Sequence, residues 1–424
     1  MHNSGTVQVT AAAICLACAV ALAAGASAQE PAKPLPPVDA PIEPQQPTPP
    51  QSGVVAAHVE GLERTPAWSS SLGLTAGYDS NVDLLPGDEG SGDASGRLDA
   101  SVKRRFSREG FRAELEANAG ALAYKELAEF NALPFGGRFE ADGTGDTGTR
   151  AVAAMEYRHD YLRNSASFVE AGLVRYNVLA STASASIDIA ERTTSRSGFV
   201  AGASYRAISY QDDVQPAGNT LSLGGGWAWR PLETDQLSVR YLFKRERSDG
   251  YPGSNNHDLR LTWERRLTAK LQLSAFGGVG RAETLADGEV RTSPSGGLRL
   301  DGRHGRHELG ANYEYSFGQA YGLGRSLLFN GFALYEGYSL TPRWSVYFRG
   351  SLSRGRDPLD PSYVLDGEAV TAFLSHRITP RCTLRASYSY WTRRETGVAD
   401  YDSNVLELKL LYQLESRKTI TTGR

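Results

Sequence analysis

From Trp68 to Leu414 the chain alternates apolar with polar residues at a period of two, segment after segment. Successive side chains of a strand point to opposite faces, so the alternation predicts strands with one apolar and one polar face. In 404–414, Leu406, Leu408, Leu410, Tyr412 and Leu414 share one face, and Glu407, Lys409 and Gln413 share the other. The same parity sets Leu237, Val239, Tyr241 and Phe243 against Ser238, Arg240 and Lys244. It also sets Phe111, Ala113, Leu115 and Ala117 against Arg112, Glu114 and Glu116. A soluble sandwich would alternate in this way too, so the connections must separate the two classes. Short links such as LTPR from Leu340 and ITPR from Ile378 take turns with long polar ones, among them DSNVDLLPGDEGSGDASG from Asp79, RSDGYPGSNN from Arg247 and SRGRDPLDPS from Ser353. Short turns on one side and long loops on the other are the pattern of outer-membrane barrels.

The expected fold class is therefore all-β: a transmembrane, antiparallel, up-and-down β-barrel of about eighteen strands. Each segment offers the roughly 9 to 11 residues that a tilted strand needs to cross the hydrocarbon core. Trp68, Tyr78, Trp227, Trp229, Trp263, Trp344, Tyr388, Tyr390 and Tyr412 fall near segment ends, where interfacial anchors belong. An even count puts both ends of the barrel on the short-turn side, which is the periplasmic one.

The 66 residues before the barrel read differently. Val9 to Ala24 form an apolar stretch followed by Ala26-Ser27-Ala28, which predicts a signal peptide over 1–28. Prolines crowd the next segment, so 29–66 is expected to be an extended periplasmic linker. The barrel then occupies 67–414 and a short tail 415–424. A mature chain of this kind keeps one cysteine, Cys382, and can form no internal disulfide. A mean hydropathy of -0.37 leaves no room for a helical membrane bundle. The net charge of -3, from 45 basic and 48 acidic residues, supplies no polycation for nucleic acid.

On the face opposite the apolar band, Arg112, Glu114, Glu116, Arg240, Lys244, Arg260, Glu314, Arg349, Arg385, Glu407 and Lys409 are the expected lumen-lining residues. Arg97, Asp99, Lys103, Glu156, Arg158, Asp258, Arg299, Asp366 and Glu368 join them by the same parity. Such charges need water or one another. About eighteen strands enclose more space than side chains alone can fill, so the lumen holds water or an inward loop. Mixed signs suit neutral or weakly charged polar solutes and argue against a dedicated phosphate or cation filter. The third long link, 161–181, carries Phe168, Val169, Leu173, Val174 and Tyr176, and is a candidate to fold inward.

Nothing in the sequence assembles a catalytic site. His159-Asp160 and His257-Asp258 are adjacent pairs in strands, so their side chains point to opposite faces and form no dyad. No metal ligands fall at a recognisable spacing, and the acidic residues of the first long link, Asp79, Asp83, Asp88, Glu89 and Asp93, do not follow an EF-hand pattern. No enzymatic activity and no cofactor are expected.

One motif is repeated: Gly77-Tyr78-Asp79-Ser80-Asn81-Val82 closes the first strand, and Tyr401-Asp402-Ser403-Asn404-Val405 opens the last. With the ending RRETGVADYDSNVLELKLLYQL from Arg393, the chain resembles the outer-membrane β-barrel proteins found with bacterial exopolysaccharide systems and, more loosely, uncharacterised barrel porins. The resemblance implies a conduit for an exported polysaccharide in the outer membrane, working with a periplasmic export partner; the alternative is a general diffusion porin for small polar solutes. A similar first-strand motif begins the barrel of surface lipoprotein assembly modifiers. Their N-terminal helical repeats have no counterpart in the Pro-rich linker. In an even-stranded barrel both copies of the motif fall at the seam between first and last strands.

Overall fold

The computed structural model describes residues 68–84, 90–108, 110–145, 149–161, 178–211, 217–285, 288–320, 325–357, 360, 362–397 and 400–415. The expected signal peptide and linker, the inner part of the third long link and residues 416–424 of the tail lie outside these residues.

Eighteen antiparallel strands form one closed sheet. In chain order they are β1 (Trp68–Asp79), β2 (Asp93–Arg108), β3 (Phe111–Tyr124), β4 (Phe135–Thr144), β5 (Arg150–Tyr161), β6 (Leu179–Arg192), β7 (Ser197–Tyr210), β8 (Gly218–Leu232), β9 (Asp235–Ser248), β10 (Tyr251–Thr268), β11 (Leu271–Thr284), β12 (Val290–His304), β13 (His307–Ala320), β14 (Arg325–Ser339), β15 (Trp344–Arg356), β16 (Val364–Thr379), β17 (Cys382–Glu395) and β18 (Tyr401–Glu415). Every strand pairs with its chain neighbours, and β1 pairs with β18 from Ser69↔Glu415 to Asp79↔Val405, which closes the cylinder. Closure leaves no open sheet edge, the condition for a sheet to stand in lipid.

The outer face follows the expected parity. Leu406, Leu408, Leu410, Tyr412 and Leu414 of β18 are all exposed, as are Leu72, Leu74 and Tyr78 opposite them on β1. Leu259 and Leu261 of β10 pair with Tyr241 and Val239 of β9, and all four are exposed. In water so much exposed leucine would drive aggregation, whereas against lipid tails it costs nothing. No helix among the described residues is long and apolar enough to span a membrane, and the strands do the crossing.

Turns at one end are tight. Links 109–110 and 305–306 carry Gly110 and Gly305 at φ 66° and 57°, the left-handed region that glycine enters without penalty. Loops at the other end are longer on the whole, with one difference from the sequence reading. Residues 247–256 were expected to form a long polar link, but β9 and β10 run on and meet at Asp249-Gly250, with Gly250 at φ 75°. Pro252 and Gly253, which read as loop formers, sit in a register shift between Tyr251 and Ser254. A bulge absorbs the missing donor of proline without ending the strand. The link 125–134 contains a short 3-10 turn, Ala128–Phe130.

Asp366 and Glu368 are corrections to the expected lumen. Leu365 and Ala369 of β16 are buried inside, so the intervening even positions face outward. There Asp366 takes a bidentate pair of hydrogen bonds from Arg354, at 2.7 and 2.8 Å, and Glu368 lies 3.7 Å from Arg394. These charges mark the rim of the outer surface where the strands rise past the apolar band.

Candidate functional site

The site is the inner wall. On β2 to β5 it is a lattice of ion pairs. Lys103 Nζ lies 2.7 Å from Glu114 and 3.3 Å from Glu116, and Arg105 donates to the other oxygen of Glu114 at 2.7 Å. Arg138 pairs with Glu140 at 2.7 Å, and Arg150 holds Asp142 with two hydrogen bonds at 3.0 and 2.9 Å. Arg97 reaches both Asp99 and Asp160, and Arg158 joins it on Asp160. Arg112 faces Asp142 across the β3–β4 ladder. Here the inner face satisfies itself.

Elsewhere, long side chains lie flat along the wall where a glycine leaves room. Lys409 of β18 passes over Gly73 of β1 to reach Asp99 of β2 at 3.6 Å, and its Cε is 3.2 Å from where a Cβ of Gly73 would stand. Arg240 of β9 approaches Asp188 of β6 at 3.9 Å across Gly224 and Gly202. Glu407 accepts from Ser387 at 3.4 Å. Lys244 sits on the inward parity of β9 beside buried Leu242 and Glu246. Arg260 is held by Asp258 at 2.6 Å and by Glu314 at 3.6 Å, with its guanidinium 4.6 Å over the ring of Phe276.

On β14 to β17 the wall changes character. Its inward positions carry Tyr335, Tyr347, Arg349, Phe373 and Arg385 within a few residues of one another on neighbouring strands. Tyr347 stacks on Phe373 at 4.7 Å and 16°, and on Tyr335 at 6.3 Å and 22°. Arg385 lies 4.4 Å over the other side of this stack, at Phe373, and donates from Nε to Ser375 Oγ at 3.2 Å. Arg385 has no ion pair among the described residues. Ser351, Thr371, Ser387 and Ser389 fill positions between. The inward parity of these four strands holds a single carboxylate, Glu395, which the wholly buried Arg393 bonds near the long-loop end. Sequence reasoning placed the arginines on the inner face but missed the three rings, because it assigned aromatics to the lipid face. Parity from Trp344 would have found Tyr347: Val346 and Phe348 point out, so Tyr347 points in.

The repeated motif meets itself at the seam. Ser403 Oγ donates to Asp79 Oδ1 at 2.7 Å, Asn81 N–H donates to the same oxygen at 2.9 Å, and Asn81 Nδ2 donates to the Asp402 carbonyl at 2.9 Å. Ser80 N–H donates to the Asn404 carbonyl, and Asn404 N–H donates to Ser80 Oγ, both at 2.9 Å. Tyr78 stands outside at 50% exposure, while Tyr401 is buried and its carbonyl accepts from Thr392 Oγ1. Side chains that readily bond nearby backbone thus tie the one place where no hairpin joins adjacent strands. At about 1 kcal/mol per bond, such a cluster is a substantial share of a marginal stability.

His159 bonds Ser181 and His257 bonds Tyr241, both on the outward parity, so neither faces the carboxylate next to it in sequence. No group of metal-ligating side chains is found among the described residues.

No family model matches the chain, and no curated protein matches it. Among solved structures it is similar to the outer membrane protein opdK of Pseudomonas aeruginosa, at 11% identity and a TM-score of 0.47, over 82% of this chain and 99% of that one. OpdO of the same organism gives 12%, 0.47, 82% and 97%. OpdF of that organism, solved in complex with glucuronate, gives 10%, 0.45, 82% and 98%. The strand register and side chains of this chain carry the argument about its own role. A closed barrel with an apolar outside and a charged inside is an outer-membrane β-barrel.

Proposed function

We propose that the protein is a passive outer-membrane channel for small polar solutes, with a preference for anions. The observation that carries this reading is the inner wall of β14 to β17, where Arg385 stands on the stacked rings and the only inward carboxylate of the four strands is Glu395, bound to Arg393. The Arg385 guanidinium, with no carboxylate in ion-pair contact among the described residues, offers planar paired donors to a passing oxyanion, and ring faces retain apolar or sugar-like surfaces. Charges lying flat against the wall keep the space beside them open to water.

The motif that resembles exopolysaccharide export barrels does not favour a polymer here. Its hydrogen-bonding groups are engaged in closing the seam, a need common to any barrel of this topology. In our reading the long-loop end faces outward, both barrel termini are periplasmic, and the leader and Pro-rich segment deliver and space the barrel. Proteoliposomes loaded with impermeant polymer test the function: swelling in small organic anions should outpace swelling in cations of equal size. Equal impermeability to both would overturn it. Epitope tags at Asp357 should label on intact cells and tags at Thr341 should not; the reverse result would invert the orientation.

A further inference from the structure

The first long link has described residues inside the barrel. Directly after the seam, Val82 and Leu84 are 0% and 1% exposed although they belong to a polar link. Val82 packs in a buried apolar cluster with Leu122 and Tyr124 of β3, Ala132, and Tyr161 of β5. Two residues on, Leu84 packs in a different cluster, with Ala180 and Ile208 of β6 and β7 and with Leu327, Leu365, Ala369 and Trp391 of β14, β16 and β17. These wall residues occupy inward positions toward the long-loop ends of their strands. The chain therefore passes from the seam over one sector of the wall into contact with sectors far around the cylinder, which it can do only by entering the mouth.

Two features fix the entry. Val82 N–H donates to the Ser91 carbonyl at 2.8 Å and Ser91 N–H donates to Asp83 Oδ1 at 2.9 Å, so both arms of the loop are joined at its base. Asn81, bonded to Asp402 across the seam, sits against Gly90, where a Cβ would collide with it. Leu84 itself is the one non-glycine among the described residues at positive φ, 54°. A leucine rarely adopts that backbone, and it persists where surrounding packing over-determines it. Leu84 is the anchor of the loop.

We infer that the segment Val82 to Leu84 is a plug: Leu84, seated in the apolar cluster of the long-loop mouth, limits what passes, and unseating it widens the channel. The inference rests on the channel reading, and one experiment separates the two. The full-length protein is compared in planar bilayers with Leu84→Asp, which puts a charge in the apolar seat, and with Trp391→Ala, which removes the wall side of it. Heat-modifiable mobility checks that each variant has assembled; Leu84→Ser replaces any that has not. Single-channel conductance should rise about threefold or more for Leu84→Asp and less for Trp391→Ala, with the cutoff for neutral sugars moving upward in parallel. Equal conductance and cutoff in assembled wild type and variants would overturn the plug while leaving the channel. No conductance in any assembled form would overturn the channel, and the plug with it.

Discussion

Two sectors of one wall use arginine in opposite ways. On β2 to β5 every inward cation named above has a carboxylate beside it: Lys103 and Arg105 share Glu114, and Arg97 and Arg158 share Asp160. On β14 to β17, Arg385 leans on Phe373 and Ser375 instead. Both sectors obey the same period of two and sit in the same cylinder, so neither alternation nor burial separates them. The difference lies in what each charge is left to do. A cation matched within the wall stabilises the wall, whereas one set beside ring faces keeps its field for a solute.

The change with the largest expected effect is Arg385→Glu. It should move the anion-to-cation permeability ratio by about tenfold, or roughly 1.4 kcal/mol of differential interaction, toward cations. Reversal potentials in a salt gradient read this directly. An unchanged ratio would mean that the β14 to β17 sector does not face the permeating ion. The smaller change Phe373→Ala should shorten the retention of ring-bearing anions by about threefold while sparing chloride, since stacking is worth about 0.5–1.5 kcal/mol. Current-noise analysis with an aromatic acid and an acyclic one of equal charge gives the comparison. Lys103→Met, on the paired sector, should leave selectivity within error and lower the stability of the assembled barrel by about 1 kcal/mol, because its partners are partly solvated. Urea unfolding in detergent micelles measures it, and a selectivity change as large as that of Arg385→Glu would erase the distinction between the sectors.

The strands were legible because each residue between Trp68 and Leu414 answers to lipid or to water, and those demands write themselves as parity. Leu406 to Leu414 and Leu237 to Phe243 are where alternation placed them, on the outer face. Parity does not say where the membrane ends. Asp366 and Glu368 were therefore expected inside, whereas they sit on the outer face above the apolar band with Arg354 and Arg394. Pro252-Gly253 was read as loop because local propensity says so, and neighbouring strands hold it as a bulge. The inward rings were hidden by a different ambiguity: Tyr347 and Phe373 lie in runs apolar on both faces, so composition could not tell which ring meets lipid. Leu84 lies in a link whose composition is that of a solvated loop, and only the shape of the mouth gives it a place to bury.

The most direct test is the reversal potential of the assembled protein in a potassium chloride gradient, recorded for the wild type and for the wider Leu84→Asp form. Chloride should be favoured over potassium in both, since Arg385, set on Phe373, lies below the plug. A potential at the potassium side in both forms would contradict the assignment of that wall as the solute-facing surface.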